Sequence, residues 1–392
     1  MSPEVAALVA RADAGESFNV RAECARIGVS TKTFYKYLQR FRAEGVDGFY
    51  PRSRRPARSP LQVCAEVEDL VASARKALTD EGWDAGADQI RFWLEDQIAS
   101  AGLWPPGQRL PSRATINRIL ERRGLIVAVP QRRPKAANRR FEADLPNSRW
   151  QMDGFDVVLG NADKATVLHL VDDCSRLDAA LRAVSSENGP DAWDTFLAAG
   201  HRYGLPAELL TDNGSAFSGH RRGWTSALTE NLAALGIRHI TSAVAHPQTC
   251  GKCERAHKTV RQWLAKQPPP QTLEELQSLL DRYRDHYNQR RRKKHLGGLT
   301  PAQRHALGPF DGPGDPLTAP PVFTTGRVST SGCLGINGHL VGIGRKHAGT
   351  TVVLIRQDKN LAVFSGNQLI AQITLTRGRR YLGRDAVVLP KS

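Results

Sequence analysis

Three acidic residues stand where they could act together: Asp153 in WQMDGF, Asp212 in LLTDNGSAF and Glu254 in HPQTCGKCERAHKTV. They lie 59 and 42 positions apart, so only a fold that brings three separate elements to one edge can use them jointly. Carboxylates gathered in this way repel one another and raise their own pKa values unless a cation sits between them. Oxygen ligands of this kind suit hard divalent cations such as Mg²⁺, which leave room for a substrate phosphate. Two such ions, about 4 Å apart, can activate an attacking oxygen and stabilise a leaving one during in-line phosphoryl transfer. A lone acid would be read as a solvated surface charge. Here the triplet, its order and its flanking loops argue for chemistry. Asn213-Gly214 makes a turn that exposes the end of the preceding strand. Lys258 and Arg261 follow Glu254 at i+4 and i+7, adding two phosphate-binding cations to one helix face.

Other residues compete for the same attention. Asp156 is three positions from Asp153 on a strand and points to the other sheet face. Asp172-Asp173 closes the second strand and is expected to order the turn that follows. Cys250 and Cys253 form a CxxC pair, but no second CxxC or HxxxH completes a zinc site. His246 and His257 flank it and belong to the loop and the helix respectively.

The elements that must position the carboxylates begin near residue 149. RWQMDGFDVVL, ATVLHLVDDCSR and LDAALRAV read as three strands, followed by a helix over 191–204. A strand (PAELLTDNGSAF), a helix (WTSALTENLAALG), a strand (IRHITSAV) and a late helix carrying Glu254 complete the series. The order βββαβαβα is that of ribonuclease-H-like domains. A long helix is expected over 272–295, ending in the basic run Arg290–Lys294 and His295, with DNA contact expected of that run. After a Pro/Gly-rich stretch, residues 322–386 hold short Val/Ile/Leu/Thr runs broken by glycines and read as a small β-barrel or sandwich.

The front of the chain is helical. Residues 20–27, the turn Gly28-Val29-Ser30 and the helix TKTFYKYLQRFRAEG form a helix–turn–helix pattern. Ser30 is placed to cap the second helix, which buries Phe34, Leu38 and Phe41 and exposes Lys32, Thr33, Lys36 and Arg40. The Arg/Pro/Ser-rich linker 51–60 follows, with Arg54 and Arg55 available to a phosphate backbone or a minor groove. A second unit repeats the pattern in LPSRATINRILERRG, with Ser112 as cap and Arg113, Asn117 and Arg118 outward. The expected layout is a first helix–turn–helix domain (1–50), the linker 51–60, a second such domain (61–127) and a basic linker (128–143). An α/β catalytic core (144–308) and a small all-β domain (322–392) complete it.

Charge follows this layout. The 55 Lys and Arg outnumber the 39 Asp and Glu, for a formal net charge of +16. Residues 1–140 carry +8 and 311–392 carry +6, while 141–310 carry only +2. A near-neutral centre between basic ends fits a catalytic core flanked by modules that hold a polyanion. Seven Trp and twelve Phe exclude a histone-like tail protein. Six scattered cysteines suit a reducing compartment, no apolar run suggests a membrane span, and the first residues lack signal-peptide features.

The three motifs resemble, in order, those of the DDE transposase and retroviral-integrase superfamily, and most of all bacterial insertion-sequence transposases. The segment HYNQRRRKKHLGGLTPAQ is similar to the one that closes their core, with Asn288, His295 and Thr300-Pro301 in matching places. The likeness covers roughly residues 15–310. The gap from Asp212 to Glu254 is longer than usual, with SGHRRGWTS (218–226) as the extra loop. Cys250 and Cys253 replace a usual Asn and Val. The resemblance implies that Asp153, Asp212 and Glu254 are catalytic metal ligands for two Mg²⁺ ions, with Mn²⁺ able to substitute. It implies cleavage of 3′ ends by water and attack of the freed 3′-OH on target DNA. Double-stranded DNA (element ends and target), further copies of the chain and a helper ATPase are the implied partners, in a bacterial, nucleoid-associated cytoplasmic setting. A non-catalytic DNA-binding regulator and a metal-dependent nuclease of the same fold are the alternatives.

Overall fold

The computed structural model describes residues 2–51, 63–102, 104–126, 142–212, 226–241, 251–313, 321–336, 338–375, 380–383 and 387–388. The expectations for Arg54, Arg55, Asn213-Gly214, Cys250, His246, the loop 218–225 and most of the linker at 128–143 lie outside these residues. The chain forms two compact units, residues 1–62 and 63–392. No helix among the described residues is long and apolar enough to cross a membrane.

The first unit packs three helices: α1 (Pro3–Asp13), α2 (Val20–Arg26) and α3 (Thr31–Glu44). Val5, Leu8, Val9, Cys24, Phe34 and Leu38 form its core. The chain turns between α2 and α3 at Gly28, whose φ of +69° is costly for residues bearing a Cβ. Ser30 then caps α3, its side chain accepting from the Thr33 N–H at 3.1 Å. On α3, Lys32 and Lys36 are exposed and Thr33 and Arg40 half-buried.

The second unit opens with α4 (Ala65–Asp80), α5 (Ala87–Ala101) and α6 (Arg113–Arg122). They share a core of Val71, Ala74, Ile90, Leu94, Ile116, Ile119 and Leu120. Ser112 caps α6 by accepting from the Thr115 N–H. Next comes a five-stranded sheet in the order β3-β2-β1-β4-β5. Its strands are β1 (Arg149–Val158), β2 (Lys164–Asp172), β3 (Asp178–Val184), β4 (Glu208–Thr211) and β5 (Arg238–Thr241). The first three pair antiparallel, and β4 and β5 add parallel. Apart from Lys164, every residue of β2 is buried, as expected of an inner strand covered on both faces.

Helices α7 (Gly189–Tyr203) and α8 (Ala227–Ala234) cover one face of the sheet, and α9 (Gly251–Leu264) and α10 (Leu273–Gln289) the other. Trp83, from the bend between α4 and α5, joins the second cluster and stacks on His286 and Tyr283. Gly82 makes this docking possible: a Cβ there would fall 2.9 Å from the Trp263 Cα.

Helix α10 stops at Gln289, short of the basic run that was expected to continue it. Consecutive like charges disfavour another turn, and the run finds partners inside the chain instead. Arg291 is buried against Asp84 and the rings of Trp83 and Tyr287. Arg292 meets Glu95, Asp96 and the ring of Phe92. The Lys293 ammonium lies over the Tyr287 ring and donates to its hydroxyl, and burial pulls its pKa down to about 7. At Arg291, Arg292 and Lys293 the run therefore serves to fasten the α4–α5 segment and close the core.

After α11 (Pro301–Ala306), strands β6 (Val322–Arg327), β9 (Thr351–Gln357), β10 (Asn360–Ser365), β11 (Gln368–Thr374) and β13 (Val387–Val388) form a second sheet. Strands β7 (Cys333–Ile336), β8 (His339–Gly342) and β12 (Tyr381–Leu382) form a third. Ile355, Ala362 and Phe364 pack into the same core as Trp193 and Phe196 of α7. Gln372 also donates to the carbonyl of Ala234 at the end of α8.

Candidate active site

Register brings the first two carboxylates together. Strands β1 and β4 run parallel with Met152 opposite Thr211, so Asp153 and Asp212 each stand one residue beyond that pair. Asp212 follows the end of β4, where open α/β sheets commonly place their sites, and Asp153 lies beside it midway along β1. One Asp153 oxygen, Oδ1, accepts the Gly154 N–H at 2.9 Å.

Glu254 arrives on the first turn of α9, and the seating of that helix decides where it stands. Cys253 is buried against Val171 and Ala256, and its thiol lies 3.5 Å from the Gln151 Oε1. The Lys252 ammonium pairs with Asp173. Asp173 also accepts from the Gln151 Nε2 and the Ala143 N–H, each at 2.7 Å. Helix α9 therefore turns Cys253, Ala256, His257, Val260 and Trp263 inward, leaving Glu254, Lys258 and Arg261 exposed. The Arg261 guanidinium lies over the Phe155 ring at 4.9 Å.

The three acids share one electrostatic environment. Burial pushes the Asp153 carboxyl up to about 6 from its ordinary 3.8. The Gly154 hydrogen bond opposes that rise, the negative charges of Asp212 and Glu254 add to it, and His169 offsets part of it. Among the described residues, no three acids, histidines or cysteines are close enough to ligate one ion. The carboxylates thus share a field without forming a closed cage. Their chemistry is that of hard oxygen donors repelling one another across a gap, which a divalent cation relieves.

Two residues at this site had no signal in the motif spacing. Glu187, two positions before α7, is raised by burial and by Asp212, Asp153 and Asp156 in turn. It reaches the site because Gly154 has no side chain: a Cβ there would lie 2.7 Å from the Glu187 Oε2. His257 is buried on α9 with its Nδ1 3.8 Å from the Asp153 Oδ2. Burial first, then His169 and Arg261, pull its pKa down to about 3, so it is uncharged at neutral pH.

Asp156 accepts from the Thr166 hydroxyl, and Asp172 accepts from both the N–H and the hydroxyl of Ser175. Asp172 thus orders the turn after β2. On α6, Arg113 faces Asp88 at 3.5 Å, Arg118 bonds within its own helix and Asn117 is exposed.

The integrase core domain family matches this chain twice, over residues 143–247 and 235–301. A model for the leucine-zipper of insertion element IS481 matches residues 5–77. The chain is 29% identical over 243 residues to a probable transposase for insertion sequence element IS1353 from Shigella flexneri, covering 56% of this chain and 45% of that protein. It is 30% identical over 123 residues to the Pol-related polyprotein of the mouse intracisternal A-particle MIA14, covering 31% of this chain and 13% of the polyprotein. These matches span less than half the length of either relative. Among solved structures, the HTLV-2 integrase catalytic core in complex with magnesium is 23% identical, with a TM-score of 0.33, covering 41% of this chain and 97% of that one. Residues 143–301 thus match the integrase core domain family, and the chain is similar in sequence to an insertion-sequence transposase over 243 residues.

Proposed function

We propose that this chain is a metal-dependent DNA transposase that binds the ends of a mobile element, cuts the 3′ ends with water and joins them to target DNA. The observation that carries the reading is Asp153: a carboxyl held near 6 by burial and by the charges of Asp212 and Glu254, delivered from a neighbouring strand and a separate helix. In this reading Asp153, Asp212 and Glu254 hold two Mg²⁺ ions, for which Mn²⁺ substitutes. Bound there, the ions would polarise the attacking oxygen and stabilise the leaving one.

The chain's own residues do the rest. Exposed Lys258 and Arg261, one and two turns beyond Glu254, hold phosphates of the strand being cut. Helix α3 offers Lys32, Thr33, Lys36 and Arg40 to an element end in helix–turn–helix fashion, and α6 offers Arg113, Asn117 and Arg118. Arg54 and Arg55 would follow the backbone between these units. The strands from 322 onward form a small β domain beside the core. Because two ends must be handled together, the acting form is a homo-oligomer on DNA.

The test is incubation of the full chain with labelled element-end DNA and Mg²⁺. Wild type cleaves and joins, whereas Asp153→Asn, Asp212→Asn and Glu254→Gln bind DNA but do neither. Equal cleavage and joining by these variants overturns the reading. Cleavage without joining marks a nuclease, and binding alone by wild type marks a regulator.

A further inference from the structure

Among the described residues, five of the ten buried side-chain polar atoms without a hydrogen-bond partner belong to three neighbouring residues. His169 lacks partners at both ring nitrogens, Asp178 at both oxygens and His257 at Nε2. These residues form a series that ends at Asp153. The backbone of Asp178, at the start of β3, is pinned from α10: its N–H donates to the Asn288 Oδ1 and its carbonyl accepts from the Asn288 Nδ2. Asp178 Oδ1 lies 3.0 Å from the His169 Nε2, close enough for a hydrogen bond but not aligned as one. His169 sits opposite Asp153 in the β1–β2 ladder, and its ring centre is 5.3 Å from that of His257. His257 Nδ1 faces the Asp153 Oδ2 at 3.8 Å.

An unpartnered imidazole nitrogen in this apolar cluster costs about 1 to 3 kcal/mol relative to a satisfied one. A phenylalanine would fill the space between Phe155 and His169 without that cost. On His257 the unpartnered atom is Nε2, and the cost makes sense if the imidazole is kept for its other nitrogen, Nδ1, which faces the neighbouring carboxylate. Among the described residues, Asp153 Oδ1 accepts from the Gly154 N–H, while Oδ2 faces His257 just beyond hydrogen-bond range. A small rotation of the His257 ring closes that gap and fixes the carboxylate plane from both sides. Carboxylates that ligate metals are commonly oriented in this way by outer partners, whose loss weakens metal binding about 10- to 100-fold.

We propose that His257, backed by His169 and Asp178, is a positioning residue that orients the Asp153 carboxylate toward the cation; this rests on the active-site reading above. The role requires the nitrogen and not the ring, which makes it separable from packing.

The test titrates Mn²⁺ into the full chain without DNA, by calorimetry, and follows thermal unfolding in parallel. His257→Phe keeps the ring and removes the nitrogens; Mn²⁺ binding should weaken about 10- to 100-fold with an unchanged or higher melting temperature. His257→Asn, which retains a polar side chain of similar reach, should bind within a few-fold of wild type. Wild-type Mn²⁺ affinity in His257→Phe overturns the proposal. If that variant does not fold, His257→Leu is read in the same way. Asp153→Asn separates the two readings. If it binds Mn²⁺ as wild type does, the cation site itself is misassigned. If it loses binding while His257→Phe does not, only the role of His257 falls.

Discussion

The two faces of the central sheet are built on opposite principles. Beneath α7 and α8, Trp150, Met152, Leu168, Leu170, Trp193 and Phe196 pack with Ile355 and Phe364 from the C-terminal strands in a continuous apolar cluster. Beneath α9 and α10, the cluster of Phe155, Val167, Val260 and Tyr283 is interrupted by buried Gln151, His169, Asp173, Asp178 and His257. The same strands supply both sets, alternating residue by residue. One face therefore stabilises the fold, while the other gives up stability to hold polar groups where the candidate site needs them. Proteins depart from local packing rules chiefly at functional sites, and among the described residues the buried ionisable groups nearest Asp153, His169 and His257, lie on the α9 side of the sheet.

Four measurements would break or sharpen this contrast. On the apolar face, Trp193→Ala should cost about 3 to 5 kcal/mol in urea unfolding, the usual price of emptying a buried aromatic position. A loss under about 1 kcal/mol would mean that this face does not carry the fold. On the polar face, removing a charge should do the reverse. Asp153 has a folded pKa of about 6 against an ordinary 3.8, so the folded state holds its proton more tightly than the unfolded chain. The resulting penalty is absent below the ordinary value, grows between about 4 and 6, and is complete above 6. In cation-free protein at neutral pH, Asp153→Asn should therefore be more stable than wild type by roughly 2 to 3 kcal/mol, at about 1.4 kcal/mol per pKa unit. The gain should vanish at pH below 4.

Lys252→Met leaves buried Asp173 with its remaining donors and should cost about 2 kcal/mol, below the range for fully orphaning a buried charge. The same variant should loosen the first turn of α9, read as faster amide exchange at residues 252–256. Unchanged exchange would detach Glu254 from this ion pair. Smallest of all, Arg261→Ala should lose no more than about 1 kcal/mol of stability from its contact with Phe155. It should nonetheless lower affinity for nonspecific duplex DNA and flatten its salt dependence by about one phosphate contact. An unchanged salt slope would remove Arg261 from the DNA surface.

Local features were legible from residue types alone because they depend on neighbours in sequence. Ser30 and Ser112 each precede a helix that they cap, and Asp172 accepts from Ser175 three positions on. The strand runs around Asp153 and Asp212 read directly from their Val, Leu, Phe and Thr content. Residue types do not show a partner that lies far along the chain. The cations at 290–294 look like a free polyanion-binding strip in sequence. Arg291 meets Asp84 and Arg292 meets Asp96, about two hundred positions away.

The sequence by itself determined which acids are candidates, which segments are strands and helices, and in what order they come, because periodicity, capping and turn chemistry are local. Only the tertiary structure decided that Met152 pairs with Thr211, which sets Asp153 beside Asp212, and that Lys252 and Cys253 seat the helix bearing Glu254. It also brought Glu187 over Gly154 and His257 against Asp153. Both depend on strand register and close backbone approach between elements distant in sequence. Residue spacing carries no record of such distances.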